Sequence, residues 1–340
     1  MKFSFAPHTI YFKRPFKISH GMRTSTPIVI TQLECDGVIG YGEASLPPYL
    51  VETQESVFVF LNRASKLLAL YKTPDKLEEI IKQVDLLAPF NTAAKASVDI
   101  ALHDLYGKLH NIPCWKMFNA DKNATPNTSF TFGIDTPEIL KNKVEETREY
   151  KILKIKLNGE DDKLTINTIR SVTDKPIAID VNQGWKNKFE ALKMIEWLEN
   201  KNVLFVEQPL PKENIEDAFW LFQNSPLPIF ADEAIQRYSD IESIKHCYDG
   251  VNIKFMKCGG MFEAHRMIER ARELNLKILL GCMSETSCAI SAAAQLSPLI
   301  NYADLDGSLL IKNDLFDGVK FVNGKIMLDD LPGIGAFQKV

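Results

Sequence analysis

The stretch Leu-Lys-Ile-Lys-Leu-Asn at residues 153–158 has the pattern of a short buried strand that carries two lysines. Side chains alternate between the two faces of a strand, so Lys154 and Lys156 point to one face and the apolar residues point to the other. Two ammonium groups on one face repel each other, which favours loss of a proton from one of them. A lysine that is neutral near pH 7 can act as a general base. The stretch therefore predicts a strand that ends at a catalytic site.

Similar apolar runs recur at regular intervals after residue 128, and a charged amphipathic segment follows each of them. The eight runs cover residues 129–133, 153–158, 177–182, 204–209, 229–233, 250–255, 277–282 and 302–307. Eight strands with helices between them are typical of a (β/α) barrel. A doubly wound open sheet uses the same units, but it does not explain the polar residues at the carboxyl end of nearly every run. We therefore predict an α/β fold with a closed barrel over residues 126–307.

The chain on either side of the barrel has a different pattern. Residues 1–125 are predicted to form an α+β domain, with strands at 9–16, 27–36 and 38–43 and helices at about 52–70, 74–84 and 91–109. Residues 308–340 contain a hairpin signal at Asn323-Gly324. We expect this last segment to return to the N-terminal domain, so that the two together form a cap over the mouth of the barrel.

Composition and charge argue against several classes of function. The 340-residue chain has a formal net charge of −4 and no basic tract, so nucleic acid is not an expected partner. No apolar run approaches the roughly 18 residues that span a bilayer, and no signal segment is recognised, so a membrane is not expected either. The six scattered cysteines show no metal-binding spacing, and we expect free thiols in a reducing cytoplasm.

Three carboxylates stand at the ends of three successive predicted strands: Asp180, Glu207 and Asp232. Catalytic groups of such barrels gather at the carboxyl ends of the strands. Carboxylates that face one another repel unless a cation joins them. A set of oxygen ligands without His or Cys suits a hard cation, so we expect one Mg²⁺ per subunit, with Mn²⁺ able to replace it. Such a metal binds a substrate carboxylate and stabilises the charge that forms when the neighbouring carbon loses its proton.

Lysines on two opposite strands complete this pattern. Lys156 ends the second predicted strand and Lys254 ends the sixth, so the two face each other across a closed barrel of eight. One base on each face of a substrate is the requirement for inverting a stereocentre. We expect the charge of Lys154 and the metal to lower the pKa of Lys156, and Lys154 to contact the substrate carboxylate. Glu233 is expected to orient Lys254, and Asn182 to support the site.

Each of these residues alone has an ordinary structural explanation. A single lysine or aspartate at a strand end is usually a solvated rim residue, and a lone Lys-x-Lys is weak support for catalysis. Inward ionisable residues on five strands, in register, are not expected from rim residues alone. The alternative from another class is a catalytically silent barrel that binds a small acidic ligand, which would not need both lysines and all three carboxylates.

Five motifs follow the predicted strand ends, and two more lie in the N-terminal domain. They are KIK at 154–156, DVNQGW at 180–185, VEQP at 206–209, ADE at 231–233 and NIKFMKCGG at 252–260, with YGEA at 41–44 and ASVDIALHDLYGK at 96–108. Together they resemble the enolase superfamily, and more closely its muconate-lactonizing-enzyme subgroup. The resemblance implies a modified TIM barrel, (β/α)7β, with an N-terminal α+β capping domain that the C-terminal segment completes. It also implies that Lys156 and Lys254 are the acid/base pair and that the three carboxylates bind Mg²⁺.

The eighth predicted strand ends in Asp304-Leu305-Asp306, which resembles the Asp-x-Asp signature of the dipeptide epimerases. There the two carboxylates hold the α-ammonium of a dipeptide, and a cationic terminus does need anionic partners. Two aspartates before Gly307 also occur as a helix cap or an Asx turn. Muconate cycloisomerases and o-succinylbenzoate synthases bind anionic substrates, which two aspartates would repel. The resemblance implies a Mg²⁺-dependent dipeptide epimerase that inverts the α-carbon of the C-terminal residue of an Ala-Xaa dipeptide by two-base 1,1-proton transfer.

Three further positions match substrate contacts of the same epimerases. Cys282 and Ser284, after the seventh predicted strand, match positions that contact the dipeptide largely through their backbone, and Thr131 on the first strand matches another contact. Cys282 is not expected to be a nucleophile because no histidine accompanies it.

The preferred side chain of the substrate is left open by the sequence. Arg23, in the predicted loop at residues 19–26, lies where relatives that accept Glu place an arginine against the side-chain carboxylate. That favours Ala-Glu, as in murein-peptide recycling, but a surface arginine on a flexible loop is an equal alternative. Phe16, Ile18 and Met22 would instead suit Ala-Ala or Ala followed by a hydrophobic residue. Within the subgroup an N-acylamino-acid racemase is the competing function, and we expect a homo-oligomer.

Overall fold

The first three strands form an antiparallel sheet in the computed structural model; the structure describes residues 1–19 and 21–339. These strands are β1 (Lys2–Ile18), β2 (Gly21–Cys35) and β3 (Val38–Ser45). Asp36 and Gly37, with φ of 51° and 78°, make the tight turn between β2 and β3. β1 and β2 are longer than we predicted. Most of the predicted loop at residues 19–26 belongs to β2, and His20 lies outside the described residues.

Four helices follow this sheet and complete the N-terminal domain. They are α1 (Gln54–Leu68), α2 (Leu77–Asp85), α3 (Thr92–Leu109) and α4 (Cys114–Met117). α3 is buried along almost its whole length, because it packs between the sheet and the barrel. Its backbone approaches β3 so closely that a Cβ on Gly42 would lie 1.8 Å from the carbonyl oxygen of Ser97. Only glycine fits there.

Eight parallel strands form the barrel, and they confirm the eight predicted runs. They are β4 (Ser129–Phe132), β5 (Ile152–Lys156), β6 (Ile177–Asp180), β7 (Val203–Glu207), β8 (Ile229–Ala231), β9 (Gly250–Ile253), β10 (Lys277–Gly281) and β11 (Tyr302–Asp304). Each strand pairs with the next along the chain, and a parallel bridge between Thr128 and Ala303 joins the first strand to the last. The barrel interior is filled below the strand ends, where the rings of Phe205 and Phe230 stack at 4.3 Å. The polar groups at the strand ends therefore lie above a packed layer of apolar side chains.

Helices connect the barrel strands on the outside. They are α5 (Pro137–Glu146), α6 (Asp162–Arg170), α7 (Lys188–Leu198), α8 (Ile215–Asn224), α9 (Ile241–Ile244), α10 (Phe255–Cys258), α11 (Met261–Glu273) and α12 (Ser287–Ala294). A 3₁₀ turn at Gly307–Leu310 follows β11 where a regular barrel would have its eighth helix. This is the (β/α)7β arrangement that the sequence predicted.

The C-terminal segment returns to the N-terminal domain, as expected. It contains β12 (Phe316–Asp317), β13 (Lys320–Val322), β14 (Lys325–Met327) and β15 (Phe337–Gln338), and the predicted turn at Asn323-Gly324 joins β13 to β14. The backbone N–H of Lys312 donates to the carbonyl of Tyr11 at 2.8 Å, and that of Ile334 donates to Asp104 Oδ1 at 3.0 Å. The domain limits at residues 125 and 307 stay a prediction.

Over residues 1–19 and 21–339, the structure contains no helix that is both long enough and apolar enough to cross a membrane. The six cysteines carry free thiols, as the sequence predicted, and five of them are buried.

Candidate active site

A cavity of about 1030 Å³ lies between the capping domain and the carboxyl ends of the barrel strands. It is enclosed by residues from β1 and β2, from the segment after β3 and from the barrel rim. Most of the predicted site residues line it: Arg23, Thr131, Lys156, Asn182, Asp232, Glu233, Lys254, Cys282, Ser284, Asp304 and Asp306. Lys154, Asp180 and Glu207 lie beneath this lining and are at most 1% exposed.

Three buried carboxylates form a cluster at the base of the cavity. Asp180 ends β6, Glu207 ends β7 and Asp232 follows β8, and one oxygen from each lies within 4.8 Å of the other two. Burial, with the neighbouring charge of Asp180, raises the pKa of Glu207 to about 8. Among the described residues, no hydrogen bond of good geometry reaches the buried Glu207 Oε2, whose charge partner is Lys154 Nζ at 2.7 Å. Three buried carboxylate oxygens at this separation fit a hard divalent cation.

Lys154 is the counter-ion of this cluster. Its Nζ lies 2.7 Å from Glu207, 2.8 Å from Asp304 and 3.1 Å from Asp180. Burial favours the neutral amine, but the three carboxylates outweigh it and raise the pKa of Lys154 well above its usual range. Lys154 does not line the cavity, so its contact with a substrate carboxylate stays a prediction.

Lys156 points into the cavity beside the carboxylate cluster. Its Nζ donates to Asp180 Oδ2 at 2.5 Å and to Asn182 Oδ1 at 3.2 Å. Asp180 Oδ2 also pairs with Lys154, so a carboxylate oxygen stands between the two ammonium groups. The simple repulsion that we inferred from Lys-x-Lys is therefore wrong: both lysines share an anionic partner, which offsets their repulsion.

Lys254 lies on the other side of the barrel, four strands away from Lys156. Its Nζ donates to Asp232 Oδ2 at 2.7 Å. Burial lowers its pKa, but Asp232 and Glu207 outweigh burial and raise it above the usual value for lysine. We expected Glu233 to orient Lys254; no hydrogen bond joins the two side chains among the described residues, and this role stays a prediction. Glu233 Oε1 instead accepts a hydrogen bond from Asn182 Nδ2 at 3.3 Å.

The two aspartates of the Asp-x-Asp motif have different surroundings. Asp304 accepts from Ser129 Oγ at 2.8 Å, from Thr131 Oγ1 at 3.1 Å and from Lys154 Nζ at 2.8 Å, so its charge is already compensated. Asp306 Oδ2 accepts from the backbone N–H of Thr131 at 2.6 Å. Burial and the charge of Asp304 raise the pKa of Asp306 to about 7. Asp306 is thus the carboxyl group with the greater need for a cationic partner, and Thr131 positions both aspartates.

The segment after β10 is held in place by the capping domain. Ser45 Oγ donates to the carbonyl of Ser284 at 2.6 Å. Buried Glu43 accepts from the backbone N–H of Thr286 at 2.9 Å and from its hydroxyl at 2.5 Å. Cys282 lies on this segment, and burial raises the pKa of its thiol well above the usual value, as expected of a residue that is not a nucleophile.

Arg23 faces the cavity from β2, between two aromatic rings. Its guanidinium carbon lies 5.6 Å from the centre of the Phe12 ring and 5.4 Å from that of Tyr49, and Nη1 donates to Thr26 Oγ1 at 3.1 Å. Within the described chain it forms no ion pair with a carboxylate. Met22 points away, being 66% exposed and outside the cavity lining.

Two buried polar residues of the site, Lys257 and Gln208, were not singled out from the sequence. Lys257 contacts Oδ1 of Asp232 while Lys254 contacts Oδ2, and Gln208 accepts from the backbone N–H of Asp232 at 2.9 Å. Both lie inside the motifs VEQP and NIKFMKCGG, as does Asn252, whose Nδ2 donates to Glu207 at 2.7 Å. The signal that could have identified Lys257 is its spacing of three residues from Lys254, which brings the two side chains together on one helical turn.

Comparison with known proteins identifies the family. Residues 5–118 match the mandelate racemase/muconate lactonizing enzyme N-terminal domain, and residues 139–337 match the enolase C-terminal domain-like family. The chain is 52% identical over 339 residues to an L-Ala-D/L-Glu epimerase of Bacteroides thetaiotaomicron, which covers 99% of this chain and 88% of that protein.

Solved structures give the same result. The fold is similar to a dipeptide epimerase from Enterococcus faecalis complexed with Mg and L-Leu-L-Tyr, with a TM-score of 0.92, 28% identity and 98% of each chain covered. It is also similar to a substrate-liganded L-Ala-D/L-Glu epimerase from Bacillus subtilis, with a TM-score of 0.93, 26% identity and 99% of each chain covered. This chain belongs to the enolase superfamily, to its mandelate racemase/muconate lactonizing enzyme family and, within that, to the dipeptide epimerases.

Proposed function

We propose that this protein is a Mg²⁺-dependent dipeptide epimerase that inverts the α-carbon of the C-terminal residue of an Ala-Xaa dipeptide. The observation that carries the proposal is the position of Lys156 and Lys254. They enter one cavity from strands that are four apart in a barrel of eight, with the carboxylate cluster between them. One amine can therefore reach each face of a substrate carbon held above the cluster.

The two lysines divide the proton transfer between them. The amine on one side, in its neutral form, takes the α-proton: the C–H bond breaks, an N–H bond forms and the electron pair stays on the substrate. The ammonium on the other side gives a proton to the opposite face of the carbon, which inverts its configuration. The two lysines exchange protonation states, and the reverse reaction uses them in the opposite order. Asp180 and Asp232 each hold one of these groups at hydrogen-bond distance, which fixes its direction.

Asp180, Glu207 and Asp232 are the residues that would hold the metal. When bound, Mg²⁺ supplies positive charge that stabilises the negative charge developing on the substrate carboxylate as the proton leaves. Mn²⁺ has similar ligand preferences and should replace it. Lys154 pairs with two of these carboxylates, Asp180 and Glu207, and so reduces their mutual repulsion.

The Asp-x-Asp motif supports a substrate with a free ammonium group. Asp306 is buried at the cavity wall, and an ammonium beside it would stabilise its charged form. An N-acylamino acid or a muconate has no α-ammonium group. The segment with Cys282 and Ser284 lies along the same wall and can contact the dipeptide through its backbone.

Arg23 supports an acidic side chain on the second residue, so we propose Ala-Glu as the preferred substrate. The guanidinium is held between Phe12 and Tyr49, and within residues 1–19 and 21–339 one of its five N–H groups donates, to Thr26. The relative from Bacteroides thetaiotaomicron is named for L-Ala-D/L-Glu. Cytoplasmic location and homo-oligomeric assembly stay predictions.

Deuterium exchange tests the proposal directly. The purified protein with Mg²⁺ is incubated in D₂O with L-Ala-L-Glu and with N-succinyl amino acids, and the products are read by mass spectrometry. We expect one deuterium at the α-carbon of the second residue of the dipeptide. Exchange in the N-succinyl compounds without exchange in L-Ala-L-Glu, or in L-Ala-L-Leu incubated in the same way, would identify an N-acylamino-acid racemase instead. Lys156→Ala and Lys254→Ala should each abolish epimerisation, and full activity of either variant in both directions would contradict the two-base mechanism.

A further inference from the structure

Lys257 is a buried lysine that the proton transfer does not use. It belongs to α10 and is 4% exposed. Its Nζ donates to Asp232 Oδ1 at 2.5 Å, to the carbonyl of Asp232 at 2.6 Å and to the carbonyl of Asn252 at 2.9 Å. An ammonium has three N–H donors, and all three are engaged by acceptors of the protein. Lys257 therefore has no donor left for a substrate, and its role lies in what it holds.

Asp232 is the residue that these contacts hold. It follows β8, which has only three residues, so the ladder of the sheet ends before it. Its Oδ2 pairs with Lys254 at 2.7 Å, and its backbone N–H donates to Gln208 Oε1 at 2.9 Å. Lys257 contacts Oδ1 and the backbone carbonyl of Asp232, and the carbonyl also accepts from the backbone N–H of Ile235 at 3.2 Å. Through the carbonyl of Asn252, Lys257 also connects Asp232 to β9. Without Lys257 the carboxylate could rotate about its side-chain bonds.

We propose that Lys257 is a positioning residue that fixes the Asp232 carboxylate in the orientation needed both to bind Mg²⁺ and to face Lys254. The inference rests on the proposed function, because it takes Asp232 as a metal ligand. Charge and position act in opposite directions here. Removing a positive charge beside Asp232 would by itself strengthen cation binding, whereas loss of a fixed orientation weakens it. The sign of the change in Mg²⁺ affinity therefore separates a positioning role from a purely electrostatic one.

The test is calorimetric titration of the purified protein with MgCl₂, native and Lys257→Met. We expect the variant to bind Mg²⁺ at least about tenfold more weakly, within the range found for groups that support metal ligands. At saturating Mg²⁺, kcat for epimerisation should also fall while KM for the dipeptide changes less. Circular dichroism establishes that the variant is folded. Lys257→Gln keeps an amide donor and should be intermediate in affinity, and it carries the test if the methionine variant does not fold.

Lys108→Met is the matched control. Lys108 is also largely buried, donating to Asp104 at 2.6 Å and to the carbonyl of Ile39 at 3.0 Å, but it lies in the capping domain. It should lower stability without changing Mg²⁺ affinity. An affinity of the Lys257 variants equal to or tighter than that of the native protein overturns the positioning role. A native protein that binds no Mg²⁺ overturns the proposed function itself, so the two failures are distinguishable.

Discussion

Replacing Arg23 by leucine should change the substrate preference of the enzyme more than its overall activity. The guanidinium lines the cavity, is stacked between Phe12 and Tyr49 and has no carboxylate partner in the described chain. A hydrogen bond between charged groups contributes about 1.5–3 kcal/mol, and 1.4 kcal/mol is a factor of ten, so we expect kcat/KM for L-Ala-L-Glu to fall by about 10- to 100-fold. Leucine fills similar space among the aromatic rings, so kcat/KM for L-Ala-L-Leu should stay within about threefold of the native value.

The assay follows epimerisation of both dipeptides by polarimetry, at saturating Mg²⁺ and over a range of substrate concentrations. Arg14→Leu is the matched control. Arg14 lies on the neighbouring strand β1, but it is half exposed and pairs with Glu146 at 2.8 Å outside the cavity. Exposed ion pairs contribute little, so both dipeptides should react with this variant as with the native enzyme.

Two results would refute the reasoning on Arg23. An equal loss for L-Ala-L-Glu and L-Ala-L-Leu would mean that Arg23 supports the shape of the cavity rather than binding a side-chain carboxylate. An unchanged kcat/KM for L-Ala-L-Glu would mean that the guanidinium does not contact this substrate, as expected for a surface arginine.

Three further predictions concern recognition of the ammonium group, pH dependence and packing. Asp306→Asn should lower kcat/KM for L-Ala-L-Glu at least about tenfold, because a buried charge-assisted contact with the substrate ammonium is lost. It should also reduce the preference for the free dipeptide over its N-acetylated form, and an unchanged ratio of the two kcat/KM values in steady-state kinetics would contradict this. Burial, followed by the nearby charge of Glu43, raises the pKa of Glu285 to about 8 from an ordinary 4.5. The Glu285 carboxyl group therefore binds a proton more tightly in the folded state than in the unfolded state. Its contribution to the free energy of unfolding consequently falls as the pH rises from 4.5 to 8. Glu285→Gln should therefore raise the melting temperature relative to the native protein more at pH 8 than at pH 5, and an equal difference at both values would count against it. Gly42→Ala should lower the melting temperature by several degrees, since its Cβ would overlap the carbonyl of Ser97, and an unchanged melting curve would disprove the close approach.

The barrel could be predicted from the sequence because its signal is local. Each strand is a short apolar run with polar residues at its carboxyl end, and all eight runs correspond to strands. The first strand was predicted less well, at 9–16 instead of Lys2–Ile18. Its outer half alternates apolar and exposed residues around Pro7, a residue that is typical of edge strands. Pairing with β2, rather than its own composition, makes this part a strand.

The candidate site, too, could be predicted from the sequence only in part. By itself the sequence determined which residue types stand at the strand ends, because alternation along a strand decides the face to which a side chain points. This was sufficient for Lys156 and Lys254, and for the carboxylates between them. Only the tertiary structure decided which groups are partners, because a hydrogen bond depends on the depth and rotation of side chains from segments far apart in the chain. It placed the charge of Lys154 among carboxylates, paired Glu233 with Asn182, and brought Lys257 against Asp232.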